Sequence, residues 1–68
     1  MRLEIFAKNL RRIMEIRCMS KTELAIRSGK SRQQIIRWCQ GKSRPKCSSL
    51  GTLARALGTN VKELIGDD

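Results

Sequence analysis

The chain has 68 residues, with fifteen Lys and Arg against six Asp and Glu and a net charge of +9. A chain of this size buries only about 60% of its unfolded surface, which allows one small domain, residues 1–68, with a thin core. There is no His and no Tyr, and Phe6 and Trp38 are the only aromatic residues; this excludes a His-based general base, a Ser-His-Asp triad, a Cys/His metal site and an aromatic platform for single strands.

Residues 3–17 read as a first helix. Leu3, Phe6, Leu10, Ile13, Met14 and Arg17 follow the i, i+3, i+4, i+7 spacing of one face, with Lys8, Arg11, Arg12 and Glu15 on the other. Ile5 and Ile16 fall off that stripe and are assigned to the surface or to a contact. Ser20-Lys21-Thr22-Glu23 is a capping box, in which the Ser oxygen takes the N3 amide and the Glu reaches back. It opens a second helix over 21–28, with Leu24 and Ala25 inward. Ser31-Arg32-Gln33-Gln34 is a second box and opens a third helix over 32–40, with Ile35, Trp38 and Cys39 inward. A fourth helix spans 47–57, with Leu50, Leu53, Ala54 and Leu57 on one face. Lys46 is a poor cap for it, and Ser48 and Ser49 offer alternative starts. Asn60 caps a fifth helix over about 61–65, which carries Val61, Leu64 and Ile65. Gly29, Gly41 and Gly58 stand where left-handed residues would end helices. The fold class that follows is all-α, a compact five-helix bundle.

The charge is uneven. Residues 24–62 hold nine basic residues and no acid, and five of the nine lie between Arg32 and Lys46. A basic block in a small folded domain points to a polyanion. An anionic membrane would ask for one long helix with a broad apolar face, whereas this chain is broken into short capped pieces. No stretch approaches the roughly 18 to 20 apolar residues of a membrane span, and the N-terminus lacks the apolar run of a signal peptide. Three cysteines without a C-x-x-C suit reduced thiols. The chain is therefore expected in the cytoplasm, with no cofactor, no metal and no small-molecule substrate.

The second and third helices are separated by Gly29-Lys30-Ser31 alone. Two short helices joined by a Gly-containing turn form a helix-turn-helix, whose second helix enters the major groove of DNA. With Ile35, Trp38 and Cys39 inward, the outward stripe of the third helix is Gln33, Ile36, Arg37 and Gln40, and Arg32 stands beside it at the helix start. Arg matches guanine O6 and N7, Gln matches adenine N6 and N7, and an exposed Ile has a use against a thymine methyl.

On these residues the chain resembles the phage repressor and Cro type of helix-turn-helix domain, the XRE family. The resemblance runs from about Phe6 to Ile65. It is carried by Met19-Ser20-Lys21-Thr22-Glu23-Leu24-Ala25, Gly29-Lys30-Ser31, Ile35, Trp38, Gly41-Lys42, Pro45 and Leu53-Ala54-Arg55-Ala56-Leu57-Gly58. It implies sequence-specific binding of double-stranded DNA, usually as a two-fold dimer. By position, Arg32, Gln33, Ile36 and Arg37 would face bases; Gln34 would either join them or serve the capping box alone. Lys21, Thr22, Gln40, Lys42, Ser43 and Arg44 would meet phosphate, which supplies affinity and register but no sequence choice. Val61, Leu64 and Ile65 are the candidate dimer interface.

Three positions depart from the family pattern. Met14 and Cys39 stand where several members carry an Arg–Glu pair, and replacing a buried ion pair by an apolar one is often neutral or stabilising. Cys18 stands where many members carry Gly or another turn residue, which predicts strain in the first turn. The length leaves no room for a ligand-binding or self-cleaving domain, so a small Cro-like repressor or controller protein is the reading. The alternative is an antitoxin-type module that binds a partner protein and represses its own promoter, which an apolar surface from Ile5 and Ile16 would favour. No catalytic constellation is visible, so the chain is read as not an enzyme. The acidic tail, Asp67-Asp68, is read as solvent-facing.

Overall fold

The computed structural model describes residues 2–66; Asp67 and Asp68, read above as solvent-facing, lie outside them. Five helices follow in order: α1 (Leu3–Ile16), α2 (Lys21–Ser28), α3 (Arg32–Cys39), α4 (Cys47–Leu57) and α5 (Val61–Ile65). α1 packs on α3 and α5, α2 on α3 and α4, and α4 on α5. The all-α bundle read from the sequence is the fold of the chain.

Each helix begins and ends for a local reason. The Glu23 N–H donates to Ser20 Oγ (3.1 Å) at the start of α2, and the Glu63 N–H to Asn60 Oδ1 (2.9 Å) at the start of α5. In α3 both halves of the capping box form. The Gln34 N–H donates to Ser31 Oγ (3.1 Å), and the Ser31 N–H to Gln34 Oε1 (3.2 Å). Such a cap contributes about 1 kcal/mol. α2 ends in a Schellman turn: the Lys30 N–H returns to Ala25 O (3.1 Å) around Gly29, whose φ is 71°. A Cβ on Gly29 would meet nothing within 4 Å, so its backbone angle, not crowding, demands glycine there.

α1 ends by the same device with the wrong residue. The Met19 N–H returns to Met14 O (2.9 Å) and the Cys18 N–H to Glu15 O (3.0 Å), and Cys18 occupies the left-handed position at φ 54°. The strain expected at this turn is therefore present, and it costs roughly 1–2 kcal/mol for a residue with a Cβ.

The core is one cluster. Phe6, Leu10, Leu24, Ile35, Leu53, Leu57 and Leu64 are its largest fully buried side chains, each contributing about 1.5–3 kcal/mol by leaving water. Met14 and Cys39 meet inside it, with Met14 Sδ 3.7 Å from Cys39 Sγ, so the expected apolar pair does occupy the core. Ser28, also buried, satisfies its hydroxyl by donating to Leu24 O (2.7 Å).

The helix bounds agree with the sequence reading to within one residue, and the expectations for Arg17 and Leu64 need correction. α1 stops at Ile16 and α3 at Cys39, with Arg17 and Gln40 as the C-caps. Arg17 is not on the apolar face: it is exposed, and its guanidinium donates to Gly58 O (2.9 Å), tying the end of α1 to the end of α4. Leu64 is 0% exposed and lies in the monomer core, so it has no surface to offer a dimer partner. Val61 and Ile65, its neighbours on α5, are half-buried against that core. Ile5 is also half-buried, beside Gly66, which leaves Ile16 as the exposed one of the two off-stripe isoleucines.

Candidate nucleic-acid interface

The third helix is held rigidly from behind. Ile35, Trp38 and Cys39 are buried, and the Arg11 guanidinium of α1 donates to the Cys39 carbonyl at its C-terminal end. At its N-terminal end the capping box holds the entry. With eight residues α3 is about 12 Å long, and the opposite side of this anchored rod faces outward. Gln33, Arg37 and Gln40 are exposed and Ile36 is half-buried among them. The stripe expected from the spacing is therefore one surface.

Arg32 and Gln34 flank that stripe differently. The Arg32 Nε donates to Thr22 Oγ1 (3.0 Å), which joins the first turns of α2 and α3 across the outer face. Gln34 is exposed, but its Oε1 accepts from the Ser31 N–H, so the capping box already engages the side-chain oxygen that an adenine N6 would need. Thr22, expected at phosphate, also takes a second role as acceptor for Arg32.

Cationic grooves lie on both sides of α3. One, of about 490 Å³, runs between α3 and the start of α4; Lys30, Arg37, Arg44 and Lys46 line it with Gln34, Trp38, Pro45 and the hydroxyls of Ser43, Ser48 and Ser49. Four cations and no acid face this space. The α4 N-terminus adds to it, since Lys46 supplies no side-chain cap and no acid sits in the first turn. Its free N–H groups and the positive end of the helix dipole favour an anion. The other groove lies between α1, α2 and α3, with Arg11, Lys21, Arg32 and Thr22 around it and Glu15 as the acid. Lys42 and Gln40 are exposed between α3 and its following loop.

The structure thus gathers Arg32, Gln33, Ile36 and Arg37 on one face, with Lys21 and Thr22 to one side and Ser43 and Arg44 to the other. Sequence reasoning missed Lys30, Lys46 and Ser48. For Lys46 the available signal is its place in the basic block between Arg32 and Lys46.

The remaining chemistry is sparse. Glu23 pairs with Arg27 (2.9 Å) along α2 at the surface, an arrangement worth little in water. All three cysteines are free thiols. Burial pushes the Cys39 thiol above its ordinary range, with Lys21 and Arg11 pulling weakly the other way. Among the described residues, no group of three or more His, Cys, Asp or Glu is placed to hold a metal, and no helix is long and apolar enough to cross a membrane.

Comparison with known proteins agrees with this geometry. The family model of the Cro/C1-type HTH DNA-binding domain matches residues 9–68. The search of curated proteins and the search of solved structures each gave no match. Nearly the whole chain is covered by the family model, including every residue of the helix-turn-helix and both flanking grooves' loops: this protein belongs to the Cro/C1-type helix-turn-helix DNA-binding domain family.

Proposed function

We propose that this chain is a sequence-specific regulator of transcription, a small Cro-like repressor or controller protein of the cytoplasm that binds double-stranded DNA as a homodimer. The observation that carries the reading is the outer face of α3. Gln33, Ile36 and Arg37 stand exposed or half-exposed on a helix anchored by its buried side. The groove beside it holds four cations and no acid. In this reading α3 lies in the major groove. Arg32 and Arg37 read guanine, Gln33 reads adenine, and Ile36 packs on a thymine methyl. Gln34 holds the helix entry and reads at most through its amide nitrogen. Lys21, Thr22, Gln40, Lys42, Ser43 and Arg44, joined by Lys30, Lys46 and Ser48, grip phosphates. Val61 and Ile65 with the end of α4 form the contact between subunits and set the two α3 helices about 34 Å apart, one turn of DNA. Three free thiols suit a reducing compartment, and no step of this function needs a cofactor or a catalytic group.

Dimethyl sulfate protection tests the groove assignment on a duplex retained at about 150 mM salt, where nonspecific binding is weak. The reading predicts protected guanine N7 atoms, which lie in the major groove, in two patches one turn apart. Protection confined to adenine N3, in the minor groove, would refute it.

A second reading draws on Ile16 and Ile26, which are 69% and 76% exposed. It is the antitoxin-type module, in which a partner protein covers these side chains while α3 still binds the promoter. Ile16→Ser with Ile26→Ser would then abolish partner capture and leave DNA binding intact, whereas equal loss of both would count against it.

A further inference from the structure

One side-chain hydrogen bond crosses the outer face of the helix-turn-helix, from Arg32 Nε to Thr22 Oγ1 (3.0 Å). Thr22 is the second residue of α2 and Arg32 the first of α3. Both side chains are exposed, so burial does not impose the contact. A free Arg side chain on a surface samples many rotamers, and fixing it costs on the order of tenfold in an equilibrium constant. Here a partner ten positions away in the chain already holds it.

The chemistry of the two groups decides what stays available. A guanidinium has five N–H donors, one on Nε and four on the two Nη atoms. With Nε turned to Thr22, the fork made by Nε and one Nη is taken, and the end-on fork of Nη1 and Nη2 is left. That fork is a pair of parallel donors, which guanine O6 and N7 can accept together. Thr22 Oγ1 gives one lone pair to Arg32 and keeps its own O–H for a phosphate oxygen. A neutral hydroxyl also holds the guanidinium without cancelling its charge. No carboxylate pairs with Arg32 among the described residues.

We propose that Thr22 is a positioning residue that determines specificity: its hydroxyl fixes Arg32 so that the end-on fork meets one guanine. A phosphate contact at the start of α2 is thereby linked to base choice at the start of α3. The proposal rests on the reading of α3 as the base-contacting helix. It goes beyond that reading because Thr22 sets which base Arg32 accepts without touching a base.

The test compares Thr22→Val, which keeps the shape and removes the acceptor, with Thr22→Ser, which keeps the hydroxyl. Competition binding of each full-length variant to the preferred duplex and its single-base variants reads base choice. Arg32→Ala, the reference, should relax choice at one base pair by roughly 5- to 150-fold. Thr22→Val should relax the same base pair by about three- to tenfold, part of the factor that the rotamer freedom of one Arg represents. Thr22→Ser should restore the choice, and Thr22→Val added to Arg32→Ala should relax nothing more. A residue serving phosphate alone would weaken every sequence alike. A second readout needs no DNA: exchange of the Arg32 Nε–H with water, followed by NMR, should quicken in Thr22→Val and not in Thr22→Ser. Thermal melts show that each variant is folded. If Arg32→Ala relaxes a base pair and Thr22→Val leaves that pair as selective as the parent, the positioning role is overturned and base reading by α3 stands. If Arg32→Ala relaxes no base pair, Arg32 is not a reader and both fall.

Discussion

Removing Lys46 should change how DNA binding responds to salt. Lys46 lines the groove between α3 and α4 with Lys30 and Arg44, and Lys21 and Lys42 stand exposed on the other approaches to α3. If each of these five cations neutralises one phosphate, log K falls with log salt at a slope of about −4.5 per subunit. Raising salt fourfold, from about 50 to 200 mM, then weakens binding by about 500-fold. Lys46→Ala leaves four contacts, a slope of about −3.6 and a loss of about 150-fold over the same range. Lys46 is exposed and makes no side-chain cap, so the variant should melt like the parent. Fluorescence anisotropy on one labelled duplex at a series of salt concentrations reads the slope directly. An unchanged slope would refute the placement of a phosphate in this groove. A slope that falls together with a changed sequence preference would refute the division between gripping and reading residues.

Arg37→Ala should instead cost about 1–3 kcal/mol on the preferred site and relax choice at one base pair; competition with single-base variants of that site measures it. Cys18→Gly removes the left-handed strain at φ 54°, worth roughly 1–2 kcal/mol, against about 0.4–1 kcal/mol of added unfolded-state entropy. The net gain of about 0.5–1 kcal/mol should raise Tm by about 2–8 °C, and a lower Tm would contradict the account of that turn. Leu64→Ala should cost about 2–5 kcal/mol through a cavity in the core, with a Tm drop that does not depend on protein concentration. A drop that vanishes on dilution would return Leu64 to the dimer interface.

Much of the fold was legible because its punctuation is local. Ser20, Ser31 and Asn60 each act through an amide three residues on, and Gly29 and Gly58 through their own φ. A single sequence carries such signals in full. The misreadings came where position on a stripe was decided by tertiary contact. Arg17 has the spacing of a core residue, yet Gly58 O from another helix draws its guanidinium to the surface. Ala7, unremarked in the sequence, is buried where the turn at Gly41 comes close to α1. Leu64 reads alike as core or interface, because a five-residue helix has no second apolar face to separate them. For the interface, the outward stripe of α3 followed from its period alone, whereas the groove at Lys30 and Lys46 forms only when the α2–α3 turn and the start of α4 are brought together.

Selection of sites from a random duplex pool at about 150 mM salt tests the central claim most directly, since nonspecific charge binding is weak there. The account predicts an enriched pseudo-palindrome with half-sites about 10 base pairs apart, lost from Gln33→Ala with Arg37→Ala. A pool that binds without enrichment would contradict it, because the nine net charges would then hold DNA without the outer face of α3 reading it.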